Sequence, residues 1–331
     1  MTTWMINTQG DPQAAARQFL KSVWTQANLQ GMLVPLYQPD QVTVQSVLVE
    51  DPAGLAEADP FVPLMLSNAG KQVVQIARER PGQRLAAVLR ACEIRALAER
   101  IKSEALNIDH WLIIGVDCLA CFPASDFEWR AQKAGGAQEL TRLVLRNARQ
   151  GGISLSRFRL ACQMCSKPEP LKVDLCLGLL GLPVKESILI LPKDDSVSAQ
   201  LNLREITEGP ATPALVTQHD RVMTALNERR QHFRDRAIRD LPSDLPANLE
   251  ELVEFLTNCA PCQVCLASCP LYEDELAPVM TNGTVSREAV KRWLVMCAEC
   301  GMCEQACPKD VPLAAIMNRI SRDLQKEAVA V

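Results

Sequence analysis

The sequence predicts an α/β domain with a mainly parallel sheet, followed by an all-α domain. Three observations predict it. Short apolar runs alternate with amphipathic helical patterns through residue 192, as strand–helix–strand units do. From about Thr212 the pattern is helical throughout. Eight of the fourteen cysteines crowd into residues 259 to 307, between helical segments, in two copies of one spacing. The expected organisation is a first domain over 1–192, a polar connection over 193–213 and a helical domain over 214–331, which 331 residues can accommodate.

The first helix is punctuated by Asp11 as N-cap, Pro12 at the first helical position and Gly31 just past the end. Val42, Val44, Val47 and Val49 then suggest a strand before a loop at Asp51 to Pro60, and a second helix runs from Ser67 to before Pro81. Residues 84–90 read as a buried strand, Glu93 to Glu104 as a helix with Ile94, Leu97, Ala98 and Ile101 on its apolar face, and residues 111–116 as another strand. Such a unit makes its two strands parallel. Cys92 ends the first strand and Cys118 follows the second, so both thiols fall at the carboxyl edge of one sheet, where ligand sites of open α/β sheets lie. Residues 124–152 are polar, with Gly135, Gly136, Gly151 and Gly152 bracketing a short helix at about 137–149. A strand at 157–161 delivers Cys162 and Cys165, and residues 187–192 form the last strand.

The helix around Val216, Val222, Leu226 and Phe233 interleaves Arg221, Arg229, Arg230, Arg234, Arg236 and Arg239 with acids, the pattern of a solvated face. A helix from Asn248 leads into Cys259, Ser286 caps one that feeds Cys297, and Ile316, Ile320 and Leu324 mark the last.

A net charge of −4 and few aromatic residues leave no nucleic-acid footprint. No apolar run approaches the ~18 residues that span a bilayer. No basic stretch followed by an apolar core opens the chain, so a reducing, cytoplasmic setting is expected instead of a disulfide framework.

Cys259, Cys262, Cys265, Cys269 and Pro270 form one C-x2-C-x2-C-x3-C-P run, and Cys297, Cys300, Cys303, Cys307 and Pro308 form the other. This run holds 4Fe-4S clusters in bacterial two-cluster ferredoxins, where the fourth cysteine serves the other cluster. Cys259, Cys262, Cys265 and Cys307 are therefore assigned to one cluster, and Cys297, Cys300, Cys303 and Cys269 to a second. Structural zinc uses separated C-x2-C pairs, whereas three thiols here fall within seven residues. Cys176 sits in the apolar run VDLCLGLLGL as a small buried hydrophobe. The remaining five, Cys92, Cys118, Cys121, Cys162 and Cys165, supply two sheet-edge positions and C-x2-C pairs. Four thiolates there would complete a third cluster.

The stretches LRACEIRALAERIKSE, IIGVDCLACFP and LACQMCSKPEPLKVDLCLG resemble the beta-subunit family of coenzyme F-420 hydrogenases and dehydrogenases, over roughly residues 30–190. The resemblance implies a 4Fe-4S cluster on Cys92, Cys118, Cys162 and Cys165, beside an FAD whose contacts it does not place. Ala91 stands where that family often has proline, and Ala120 and Cys121 stand where Gly and Thr are usual. Cys121 is therefore an alternative to Cys118 as ligand. The C-terminal module resembles the helical ferredoxin of heterodisulfide reductase small subunits. No G-x-G-x-x-G occurs in the chain, so a Rossmann-type dinucleotide site is not expected.

The expected function is a flavin and iron–sulfur subunit of a larger oxidoreductase, such as a formate dehydrogenase, hydrogenase or heterodisulfide-reductase-like complex. It would relay electrons between a hydride carrier, deazaflavin or nicotinamide, and a partner subunit. A flavin-free electron wire is the alternative. His110, His219 and His232 are isolated in sequence and read as structural or solvated; Glu93 and Arg95 flank Cys92 as a charged pair.

Overall fold

The computed structural model describes residues 2–40, 42–151, 157–259, 262–272, 280–281 and 284–329. Its first half is built on one eight-stranded sheet: β1 (Trp4–Asn7), β2 (Gly31–Tyr37), β3 (Val44–Val49), β4 (Leu85–Arg90), β5 (Trp111–Val116), β6 (Leu175–Gly178), β7 (Ser187–Pro192) and β8 (Gly209–Pro210). Their spatial order is β3-β2-β4-β5-β6-β7-β1-β8. The sheet is mixed. The four inner strands β2, β4, β5 and β6 run parallel, while β3, β7, β1 and β8 pair antiparallel around them. β4 and β5 are buried along their whole length, as expected for strands covered on both faces.

The helices of this half are α1 (Pro12–Gln26), α2 (Ala69–Glu79), α3 (Ala91–Glu104), α4 (Ala124–Ala134), α5 (Ala137–Leu145), α6 (Leu160–Met164), α7 (Asp195–Gln200) and α8 (Leu203–Ile206). The Asp11 side chain accepts from the Ala14 N–H and caps α1, as expected. Gly31 is not that helix's terminator. The helix stops at Ala27, and Gly31 opens β2, whose buried run GMLVPLY claims it for the sheet. The polar stretch after Cys121 contains α4, with Phe127 and Ala131 buried; Gly152 lies outside the described residues. Residues 157–161 are not a strand. Phe158 and Leu160 mimic a period of two, but Ala161, Cys162 and Met164 are buried together on one side of α6. β7 is not the last strand, because β8 adds to the sheet against β1. Within 193–213, α7 and α8 pack back on the core through Leu201 and Leu203, both fully buried.

The second half is helical: α9 (Pro213–Arg239), α10 (Leu249–Asn258), α11 (Val264–Ala267), α12 (Arg287–Met296), α13 (Met302–Gln305) and α14 (Leu313–Val329), with a small hairpin of β9 (Met280–Thr281) and β10 (Thr284–Val285). Asn248 and Ser286 cap α10 and α12 with their side chains. Leu252, Leu256, Val290, Trp293, Leu294, Ile316 and Ile320 form the local core, which Ala96 of α3 joins from the first half. Cys300 and Met302 are in turn buried in the core of the α/β half. α9 presents a solvated arginine face at Arg221, Arg229, Arg236 and Arg239, as expected, but not at its other two arginines. Arg230 and Arg234 are 2% and 7% exposed, since their guanidiniums turn inward to backbone carbonyls around Cys118, Met164 and Cys165.

Candidate functional site

The two cysteine runs fold alike. α10 ends on Cys259 and α12 ends on Cys297, so each run begins where a helix stops. Each then makes a short helix, α11 or α13, entered through a left-handed residue, Gln263 at φ +47° and Gly301 at φ +67°. The repeated backbone turns spacing into convergence. One cavity is lined by Cys259, Cys262, Cys265 and Cys307, three thiols from the first run and the last of the second, with Phe255, Leu256, Leu266 and Val285 forming its apolar wall.

The second set gathers likewise. The Cys303 thiol is raised well above its ordinary value by burial and then by Cys297, Cys300 and Cys269. Burial and the nearby Cys269 raise Cys300 to about 11. Two N–H groups point at sulfur: Trp293 Nε1 donates to Cys269 Sγ at 3.2 Å and Glu299 N to Cys297 Sγ at 3.4 Å. Such donors favour thiolates over thiols. Among the described residues no three His, Cys, Asp or Glu side chains are arranged to hold a single metal ion.

The third set comes from the sheet edge. Cys92 lies in the first turn of α3, two residues past the end of β4 and so in the helix instead of at the strand end, where the helix N-terminus favours negative charge. The Glu93 carboxylate accepts from the Arg90 and Ala69 N–H groups and so fixes this turn. Cys118 and Cys121 leave the end of β5 on a loop that reverses at Ala120, φ +91°. Asp117 anchors that loop by accepting from Leu179 N, Leu180 N and His219 Nε2. Cys162 lies in α6 and Cys165 caps it. The Cys92 thiol is pushed well up by burial and then by neighbours that include Cys118. Cys118 is pushed up by burial and then by neighbours that include Cys162 and Cys165. The four thiols therefore lie near one another, Cys162 buried and Cys92, Cys118 and Cys165 half-buried. Cys121 joins them in a different role: its S–H donates to Cys162, whose thiol is held well below the usual range by that bond and, against burial, by Arg159. Cys176 faces away in β6, where burial raises its thiol.

Arginines surround this third set, and for Arg90 and Arg159 no sequence pattern signals it. Arg159 Nη2 lies 3.5 Å from Cys162 Sγ and Arg95 Nη2 lies 3.8 Å from Cys165 Sγ. Arg230 reaches the Cys118 and Cys165 carbonyls at 3.4 Å. Arg90 bonds the Val62 carbonyl at 2.6 Å and sits near Cys121, Cys118 and Cys92. Arg95 was flagged by its place beside Cys92, but its partners are remote: Ala298 O at 3.1 Å and Lys167 O at 2.9 Å. Glu93 pairs with Arg90 instead, at 3.6 Å. Arg159, three residues before Cys162, and Arg230, far along the chain, carry no such signal; only the fold brings α9 and the residue before α6 to the β4 and β5 ends.

The second and third sets are neighbours. Cys300 is among the charges that raise the Cys92 thiol, and Arg95 and Arg159 both act on Cys300. Arg159 also reaches Met302 Sδ and Gln305 Oε1, at 3.8 and 3.3 Å. Beside Arg90 a cleft opens among Pro35, Gln45, Ser46, Met65, Ser67 and Gln72. The Gln72 Oε1 in its wall is buried without a partner among the described residues.

Residues 255–311 match the model of the 4Fe-4S dicluster domain. The C-terminal part of the chain is thus an iron–sulfur, electron-transfer module. No curated protein matches the chain. Among solved structures, a chain in the xenon-derivatised F420-reducing [NiFe] hydrogenase complex from Methanosarcina barkeri is similar, with a TM-score of 0.52 over 72% of this chain and 92% of that one. At 10% identity this likeness concerns the fold. Among the described residues, no helix is long and apolar enough to cross a membrane.

Proposed function

We propose that the chain is a flavin and iron–sulfur electron-transfer subunit of a multi-subunit oxidoreductase, related in role to the subunits of F420-reducing hydrogenase, formate dehydrogenase or heterodisulfide-reductase-like complexes. The observation that carries this reading is the line of three thiol sets, with Cys300 of the second facing Cys92 of the third. In this reading Cys259, Cys262, Cys265 and Cys307 hold one cluster. Cys269, Cys297, Cys300 and Cys303 hold the next, and Cys92, Cys118, Cys162 and Cys165 hold the third. In this reading Cys121, bonded to Cys162, supports a ligand sulfur and Cys118 is the ligand. When bound, the clusters pass single electrons, and FAD would accept a hydride from a deazaflavin or nicotinamide carrier and release its electrons singly.

In this reading the flavin would lie in the cleft beside Arg90. Gln45, Ser46, Ser67 and the unpartnered Gln72 Oε1 offer hydrogen bonds, and Arg90 spans from the cleft to the third thiol set. Arg90, Glu93 and the Val62 carbonyl keep that wall in place. The test is the anaerobically purified chain. It should release FAD on denaturation and reduce its clusters when a reduced deazaflavin or nicotinamide is added. Clusters without flavin, and no response to either carrier, would leave a flavin-free wire with the α/β half as docking scaffold.

A further inference from the structure

Burial treats the three thiol sets unequally in charge. Around the third set stand four guanidiniums from four segments: Arg90 at the end of β4, Arg95 in α3, Arg159 before α6 and Arg230 in α9. Arg90, Arg159 and Arg230 are 7%, 5% and 2% exposed. The acids that face them are Glu93, paired with Arg90, Glu299 near Arg95 and Glu304 near Arg159, which burial holds up at about 7, with Asp117 turned toward His219. The Nε–H groups of Arg159 and Arg230 are buried with no partner among the described residues. Buried guanidinium donors left open beside thiols call for an anion, since an unpaired buried charge is strongly unfavourable. The first set differs. Its cavity has one charged lining residue, the exposed Lys309, and Cys262 in its wall is solvent-exposed. The second set lies between, with Arg159 and Arg95 acting on Cys300.

A thiolate-held 4Fe-4S cluster is anionic, and reduction adds one more negative charge. A nearby buried cation therefore stabilises the reduced form and raises the potential, with little screening by solvent or salt. From this arrangement, and resting on the three-cluster reading above, we infer that Arg159 and Arg230 are positioning residues that make the third site the highest-potential station of the relay. Arg159, shared across the contact to Cys300, raises the second site as well; Arg230 acts on the third alone. Electrons delivered at either end come to rest at the sheet edge, next to the cleft.

The test is a potentiometric titration followed by EPR on the intact chain and on Arg159→Gln, Arg230→Gln and the two lysine variants, each first assayed for iron. Three one-electron steps are expected. Arg159→Gln moves two of them to more negative potential, Arg230→Gln moves one, and the remaining step stays fixed. Lysine, which keeps the charge, restores most of each shift. With iron content unchanged, steps that do not move, or all three moving together, overturn the inference. If a glutamine variant loses about four irons while its lysine counterpart keeps them, the cation is required at the site and the inference stands. Loss in both glutamine and lysine variants overturns it. An intact chain that lacks the third set's iron instead contradicts the three-cluster reading itself.

Discussion

In the C-terminal runs, seven consecutive residues deliver three thiols of one set, through a helix end and a short helix that repeat from run to run. In the α/β half, the thiols come from three segments between Cys92 and Cys165, brought together by the β4 and β5 ends and by α6. The first arrangement is local, solvent-facing at Cys262 and poor in fixed charge; the second is assembled by topology, has no solvent-exposed thiol and is ringed by arginine. Local spacing can specify a cluster cage by itself. A topological cage lets distant elements add charges that spacing cannot record, and so can be tuned apart from the others.

The largest expected effect separates the cysteines of the assembled set. Cys118→Ser should remove about four irons while Cys121→Ser removes none, read by iron assay of the purified variants. Equal loss from both would return Cys121 to the ligand set. Next comes the contact between the two kinds of set. At Gly301, φ +67°, an added Cβ would stand 2.3 Å from the Ala161 Cβ, one residue from Cys162. Gly301→Gln should therefore cost about 3 kcal/mol, from left-handed strain plus overpacking. The matching Gln263→Gly, in the other run, should gain about 1 kcal/mol by relieving its strain. Thermal unfolding of both variants measures the contrast.

That pair also marks what was legible. The crossed grouping of the C-terminal thiols could be read from spacing, and the sheet-edge placement of Cys92 and Cys118 from a strand–helix–strand pattern. Phe158 and Leu160 misled because two apolar residues at a period of two fit a strand as well as the start of α6. Arg230 and Arg234 read as solvated because an arginine interleaved with acids has the same pattern whether its guanidinium meets water or a buried carbonyl. The mixed edges of the sheet, through β1, β7 and β8, depend on pairings between the two ends of the α/β half, which no local window contains.

A smaller effect tests how the β5 loop is held. Against burial, the hydrogen bond to Asp117 raises His219 from 6.5 to about 9. A raised folded value means the contribution is complete below pH 6.5 and is lost as pH rises through about 9. The intact chain should lose on the order of 3 kcal/mol of stability across that window relative to His219→Gln, read from denaturant unfolding at pH 6 and pH 10. Identical pH dependence in the two proteins would dissolve the link. The smallest effect falls in the local cage. Trp293→Phe removes the N–H donated to Cys269 Sγ and should cost about 1 kcal/mol, seen as a more negative midpoint for one cluster with iron content unchanged.

The central claim is that the sheet edge holds a cluster of its own beside the two encoded by the C-terminal runs. Iron content decides it, compared between the intact chain and one carrying serine at Cys92, Cys118, Cys162 and Cys165. The account predicts about twelve irons per chain falling to about eight, whereas about eight in both proteins would contradict it.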